Sequence, residues 1–118
     1  ALPIFYEMVS QSNDIIGHLH WLAAHGKAAT DEEWQELRGV ANIMLPGFIG
    51  RLSTYGYAPN LRETNLCILI RLGFRPTECA VLMGMFVSTL SNLRKRLHTR
   101  MFGISGGARE FDEKIRLL

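Results

Sequence analysis

The chain has 118 residues, of which 47% are apolar and 20% charged, the composition of one ordinary globular domain. Its apolar runs are short (the run from Leu66 to Ile70, for example, stops at Arg71), far below the roughly 20 residues of a membrane span, and no secretory signal pattern opens the sequence. The cysteines, Cys67 and Cys79, lie in apolar helical patterns, which favours the reducing cytoplasm over a disulfide framework.

The net charge of +2 hides an asymmetry between the two halves of the chain. Residues 1–59 contain three Lys and Arg against six acids, a net of −3, whereas residues 60–118 contain ten against five, a net of +5. A basic half beside an acidic half predicts a surface that binds a polyanion on one side only. In a chain this short, chance scatter is the alternative explanation.

Apolar residues recur every three to four positions, which predicts an all-α fold. We expect a first helix over about 4–24, with Trp21 in the core. Thr30 and Glu33 form a capping-box pair that opens a second helix ending near Met44, with Trp34 and Met44 buried. A short helix over 47–54 and a linker over 55–59 follow. We therefore predict a helical N-terminal extension over 1–58, although one continuous core can serve both halves.

The second half, 59–118, is predicted to be a DNA-binding domain of the helix-turn-helix type. Asn60 with Glu63 opens one helix that Gly73 ends, and Pro76 opens the next. Gly84 then stands where the chain must reverse, because glycine adopts left-handed backbone angles without steric cost. A helix over about 87–101, a glycine-rich loop and a last amphipathic helix over 108–117 complete the domain.

The helix after Gly84 has two different faces. Its leucines and Met101 are spaced by three and four residues, so they line one side and pack inward: Leu90, Leu93, Leu97 and Met101. The opposite side is expected to meet the bases of a DNA major groove through Ser88, Ser91, Asn92 and Lys95. Phosphate contacts are expected from Thr77, Arg94, Arg96 and Arg100, with His98 beside them. The alternative is a basic helix face that is merely solvated.

The segments 66–74 and 76–97, with Met101 to Gly103 and Phe111-Asp112…Ile115, resemble the C-terminal DNA-binding domain of Bacteroidetes transcriptional regulators. Those domains are similar to the LuxR-type effector domain and to σ-factor region 4. The resemblance covers about half of the chain and adds Val87 to the base-contacting positions. The chain departs from the family pattern at Phe86, where the family usually has a small polar residue that caps the helix. Phe86 is expected either to tuck into the core, with Ser88 as a shifted cap, or to mark an altered motif.

The resemblance implies that the chain is the output module of a larger bacterial regulator, with upstream sensor or repeat segments. Its partner would be double-stranded DNA, and a homodimer through the first or last helix would suit paired half-sites. No cofactor, metal or catalytic constellation is predicted, so we do not expect an enzyme. His18, His20 and His25 have no spacing that would place them around one metal ion.

The competing hypothesis is a helical module that binds a protein partner and not DNA. In that case Met83, Met85 and Phe86 would form an exposed apolar patch. Burial of Met85 and Phe86 would favour DNA binding, and their exposure on one surface would favour the protein partner.

Overall fold

The computed structural model describes the backbone of residues 4–118 and the side chains of residues 14–118. Every regular element within this part of the chain is a helix, as the apolar spacing predicted. In chain order the helices are α1 (Ile4–Ala24), α2 (Asp31–Met44), α3 (Phe48–Leu52), α4 (Leu61–Arg71), α5 (Pro76–Met83), α6 (Val87–Phe102) and α7 (Ala108–Arg116). None of them is both long enough and apolar enough to cross a membrane.

Both predicted capping boxes are present and fix where α2 and α4 begin. The Glu33 backbone N–H donates to Thr30 Oγ1 at 3.3 Å, and the Thr30 N–H donates to Glu33 Oε1 at 2.8 Å. Asn60 and Glu63 make the same reciprocal pair at the start of α4. The Glu63 N–H donates to Asn60 Oδ1 at 2.8 Å, and the Asn60 N–H donates to Glu63 Oε1 at 2.9 Å. Each box satisfies two backbone donors that a helix start leaves unpaired.

One hydrophobic core runs through both halves of the chain, which is the continuous packing that the sequence allowed. Helix α1 packs on α2 and α5, and α7 packs on α4 and α6. The largest fully buried side chains include Phe48 from the first half, with Phe74 and Phe111 from the second. A backbone hydrogen bond from Ala29 N–H to Leu82 O, 3.0 Å long, joins the loop before α2 to the end of α5.

Two apolar side chains that were predicted to be buried lie at the surface. Trp21 and Met44 are each almost half exposed, and Trp34 is only partly buried. In place of Met44, the following Leu45 packs against the core, because the chain leaves the helical path there to turn at Pro46. Trp21 stacks instead on the ring of His25, the residue that directly follows α1.

Candidate nucleic-acid interface

A three-residue turn joins α5 to α6 and sets the direction in which α6 projects. Gly84 has φ 64° and ψ 36°, the left-handed conformation that was predicted for it. The Gly84 N–H donates to Val81 O at 3.1 Å and the Met85 N–H to Ala80 O at 2.9 Å, which closes the end of α5. Ala80, whose carbonyl accepts the second of these bonds, is itself buried.

The inner face of α6 is the one that the leucine spacing predicted. Leu90, Leu93, Leu97 and Met101 are all buried in the core. Because residues three and four apart lie on the same side of a helix, this burial forces the intervening positions outward. Helix α6 carries no acidic residue anywhere along its sixteen residues, so its exposed side bears no negative charge.

The predicted base-contacting residues are found mainly on that exposed side. Ser88, Asn92 and Lys95 are exposed, Val87 is half exposed, and Ser91 is partly buried. Ser88, Asn92 and Lys95 follow one another at spacings of four and three, so they form a single row along the helix. Their side chains offer a hydroxyl, an amide and an ammonium group, which together can donate to and accept from base edges.

Two of the predicted phosphate-contacting cations, Arg96 and Arg100, lie one helical turn apart and are exposed. Both line a cleft of about 340 Å³ between α6 and the start of α4. The guanidinium of Arg100 lies over the ring of Tyr57, 5.7 Å from its centroid, which restrains this long side chain. The carboxylate in the same cleft, Glu63, is buried and occupied by the Tyr57 hydroxyl and its own capping box.

A third cation in this cleft, Arg62, was missed by the sequence analysis. Its side chain is exposed on the first turn of α4, and its Nη2 donates to Met83 O at 3.3 Å. That bond places Arg62 beside the turn that leads into α6, together with Arg96 and Arg100. No sequence signal joins positions 62 and 96, since only the packing of α4 against the α5 to α6 segment brings them together.

Thr77, predicted to contact a phosphate, is exposed in the first turn of α5. It lines a shallow cleft with Arg75, whose side chain is exposed, and with Ala23 and Ala24 at the end of α1. The Arg75 backbone N–H is already occupied by Glu78 Oε1 at 3.0 Å. A phosphate at Thr77 would therefore have the Arg75 cation nearby, but the end of α1 lines the same cleft.

Arg94 was predicted to contact a phosphate, and its position in the structure corrects that prediction. The side chain is only 7% exposed and makes a bidentate ion pair with Asp112 of α7, with Nε to Oδ1 at 3.0 Å and Nη2 to Oδ2 at 2.5 Å. Arg94 lies four residues after Leu90 and three before Leu97, so it belongs to the buried face. That spacing was available in the sequence, whereas its partner, eighteen residues away, was not.

His98 was also expected near a phosphate and is instead completely buried. Its Nδ1 contacts Ile104 O at 2.8 Å, while its Nε2 has no hydrogen-bond partner within the described side chains. His98 lies four residues after Arg94 and three before Met101, so the same helical spacing turns it inward. The exposed cations of α6 are accordingly Lys95, Arg96 and Arg100.

The first turn of α6 contradicts one of the two alternatives for Phe86, a ring in the core with Ser88 as a shifted cap, and leaves the altered motif as the other. Phe86 holds the N-cap position, yet no side chain caps this helix, so Ser88 is not a shifted cap. The Phe86 ring is 83% exposed and Val87 is 50% exposed, whereas Met85 is partly buried against the core. The partial burial of Met85 therefore favours DNA binding, whereas the exposure of Phe86 favours a protein partner.

His18 and His20 of α1, and His25 just after it, have separate partners. His18 Nε2 pairs with Glu33, His20 Nδ1 pairs with Glu78 Oε2 at 2.6 Å, and His25 Nδ1 contacts Trp21 O at 2.8 Å. Both carboxylates are capping groups as well. The Thr30 backbone N–H is the main cause that lowers the pKa of Glu33. For Glu78, burial raises the pKa, but the Arg75 N–H and His20 outweigh it and the net direction is downward.

Among the described side chains, no three His, Cys, Asp or Glu residues converge as a metal site would require. Burial raises the pKa of the Cys67 thiol and of the Cys79 thiol to about 12 each, and both cysteines are free. Comparison of the chain with protein-family models, with curated proteins and with solved structures gave no match.

Proposed function

We propose that this chain binds double-stranded DNA in a sequence-specific manner and serves in transcriptional regulation. In this proposal α5, the Gly84 turn and α6 act as a helix-turn-helix, with α6 as the helix that enters the major groove. One observation carries the proposal: α6 is held by its buried leucine face so that an acid-free row of Ser88, Asn92 and Lys95 points outward.

The base-contacting roles follow from the chemistry of each exposed group. Asn92 would pair with adenine through its amide, and Lys95 would donate to the N7 and O6 acceptors of guanine. Ser88 would accept or donate as the base requires, while Ser91 and Val87 would contact the groove from the sides of this row. These assignments put sequence recognition in the first nine residues of α6, Val87 to Lys95, and the N-terminal part of a recognition helix is the part that approaches the bases.

The phosphate-contacting roles belong to the cations around the cleft between α4 and α6. Arg96 and Arg100 would contact one strand, and Arg62 joins them because it faces the same cleft. Thr77 would contact a further phosphate from the start of α5, with Arg75 beside it. Arg94 has no such role in this proposal, since its charge is neutralised inside the protein by Asp112.

The proposal extends to the setting in which the chain works. It would be the output module of a larger cytoplasmic bacterial regulator, and it would act without a cofactor or catalysis. A homodimer would place two copies on paired half-sites. The contact would be made through α1 or through α7, and α7 packs Phe111 and Ile115 inside its own chain.

The test is selection of bound duplexes from a randomised pool, followed by titration of the selected duplex at several salt concentrations. We expect Lys95→Ala to weaken binding by about 1–3 kcal/mol and to relax the preference at one position only. Arg96→Ala should weaken binding to all duplexes alike and reduce the slope of log K against log salt by about one. Lys27→Ala is the matched control, because it removes one exposed cation from the acidic half of the chain.

Failure to enrich any sequence, together with affinity that does not respond to salt, would reject DNA binding. In that event the second candidate is a helical module for a protein partner. The exposed Phe86 and Val87 at the start of α6 favour it specifically, since exposed apolar residues that lie together often belong to an interface.

A further inference from the structure

An aromatic side chain is exposed to solvent at the N-terminal end of α6. The Phe86 ring is 83% exposed, and the adjacent Val87 is 50% exposed. Every other phenylalanine whose side chain the structure describes is buried or partly buried. Burying a phenylalanine contributes favourably to folding, so a ring left in water contributes little to the stability of this chain. The exposed position of Phe86 therefore indicates a contact with another molecule.

The backbone holds Phe86 in a fixed place relative to the rest of α6. On one side the Met85 N–H donates to Ala80 O at 2.9 Å, and on the other the Leu90 N–H donates to Phe86 O at 3.0 Å. Phe86 itself has extended angles, φ −70° and ψ 149°, as an N-cap residue requires. The ring is therefore presented at the end of α6 by a backbone that is anchored before and after it.

The exposure of Phe86 taken alone favours a protein partner, but the residues around the ring favour DNA. Ser88, Asn92 and Lys95 extend from it along the exposed row of α6, and the helix has no acid to repel a polyanion. A protein interface usually places its apolar residues in a core depleted of charge. Here the apolar end instead continues directly into a polar and cationic row, which suits the mixed surface of a DNA groove.

We propose that Phe86, with Val87 beside it, contacts the C5-methyl group of thymine in the major groove and thereby sets part of the sequence preference. The inference rests on the proposed DNA binding and deepens it. Residues at the start of a recognition helix approach base edges. Among the groups that base pairs present in the major groove, the thymine methyl is the apolar one, so it is the natural partner of an exposed ring and a valine.

The test compares thymine with uracil, which keeps every hydrogen-bonding edge and lacks only the C5-methyl. The probe is the duplex that the wild-type chain selects from a randomised pool, with its thymines replaced by uracil one at a time. At one or two positions we expect an affinity loss of about fourfold per methyl, the size expected for burying one carbon group. Replacing cytosines by 5-methylcytosine in a parallel set distinguishes thymine recognition from recognition of a methylated cytosine.

The variant Phe86→Ser decides whether the ring is responsible. Its hydroxyl can cap α6, so the fold should survive, which the thermal unfolding midpoint checks. The variant should show a smaller uracil penalty than the wild type at the sensitive positions, since only Val87 remains there, and should keep its preference at the positions assigned to Asn92 and Lys95. Leu117→Ser removes a comparably exposed apolar side chain from the end of α7 and should retain the uracil penalty in full.

Three outcomes would overturn the inference, and they differ from failure of DNA binding itself. An equal uracil penalty in wild type and Phe86→Ser would exclude the ring from methyl contact. Indifference of the wild type to every uracil substitution would do the same while leaving DNA binding intact. A selected sequence that is unchanged in Phe86→Ser would show that the ring does not set the sequence preference. Absence of any selected duplex would reject both proposals together.

Discussion

Arg94 and Asp112 form a buried bidentate ion pair that joins α6 to α7, and both side chains are almost completely removed from water. A buried pair of this kind is weak evidence for high stability, because desolvation of both charges offsets much of their attraction. The pair has a clearer effect on the orientation of α6 than on stability. The two parallel hydrogen bonds fix the rotation of α6 about its axis, and that rotation determines which residues the helix presents outward.

We expect Asp112→Ala to reduce the free energy of unfolding by about 3–5 kcal/mol, because it leaves the Arg94 guanidinium buried without its partner. The double variant Arg94→Met with Asp112→Leu should recover most of that loss, since it removes both charges at similar volume. Chemical denaturation measures each change. Glu113→Ala, at the exposed neighbouring position of α7, is the control and should change stability little. Equal effects of Asp112→Ala and Glu113→Ala would contradict the importance of the pair.

Gly106 lies against the buried ring of His98 and leaves no space for a side chain. A Cβ at this position would fall 2.4 Å from His98 Cε1 and 2.6 Å from its Nδ1. We expect Gly106→Ala to destabilise the protein by about 1–3 kcal/mol, the usual cost of overpacking. Gly107→Ala is the matched control, because the nearest atom to its Cβ, Glu110 Oε1, is 3.8 Å away. If both variants unfold at the same denaturant concentration, the ring does not pack as described.

Glu33 and Glu78 should make stability depend on acidic pH. Each is a capping carboxylate that also pairs with a histidine of α1, and each has its pKa lowered below the ordinary value of 4.5 in the folded protein. A lowered folded pKa means that the contribution is complete above the unfolded value and is lost as pH falls through the folded value. Unfolding free energies measured from pH 7 down to acid should therefore decline below about 4.5.

The variant Glu78→Gln isolates one part of this dependence. At neutral pH it should cost about 1 kcal/mol, the typical loss when a helix start loses a capping interaction. Below the folded pKa of Glu78 the wild-type carboxyl is protonated as well, so the difference between the two proteins should shrink. A stability difference that stays constant from neutral pH into acid would show that the ionised carboxylate is not the stabilising form.

Cys67 and Cys79 should resist thiol reagents in the native protein. Burial raises the pKa of each thiol to about 12, so the reactive thiolate is scarce at pH 8 and access is blocked as well. Mass spectrometry after treatment with iodoacetamide should find both unmodified in the folded chain and both modified in denaturant. Rapid native labelling of either residue would place it outside the core.

The sequence alone determined the helices and most of their ends, because the interactions that set them are local. The capping boxes at Thr30 and Asn60 join residues three apart, and Gly84 turns the chain by its own backbone freedom. The leucine spacing of α6 likewise predicted its buried face. In the acid-free helix that follows Gly84, residue types and spacing predicted an outward set of Ser88, Ser91, Asn92 and Lys95, of which Ser91 is partly buried and the other three are exposed.

Only the tertiary structure decided which side chains are buried or paired, since burial and pairing depend on residues that are distant in the chain. Asp112 on α7 takes Arg94 out of the exposed set, and the loop at Ile104 and Gly106 encloses His98. The packing of α4 brings Arg62 to Arg96, and it leaves Phe86 in solvent where no rule of spacing predicted it. Helical periodicity specifies a direction around one axis, whereas burial and ion pairing arise only when a second helix occupies that direction.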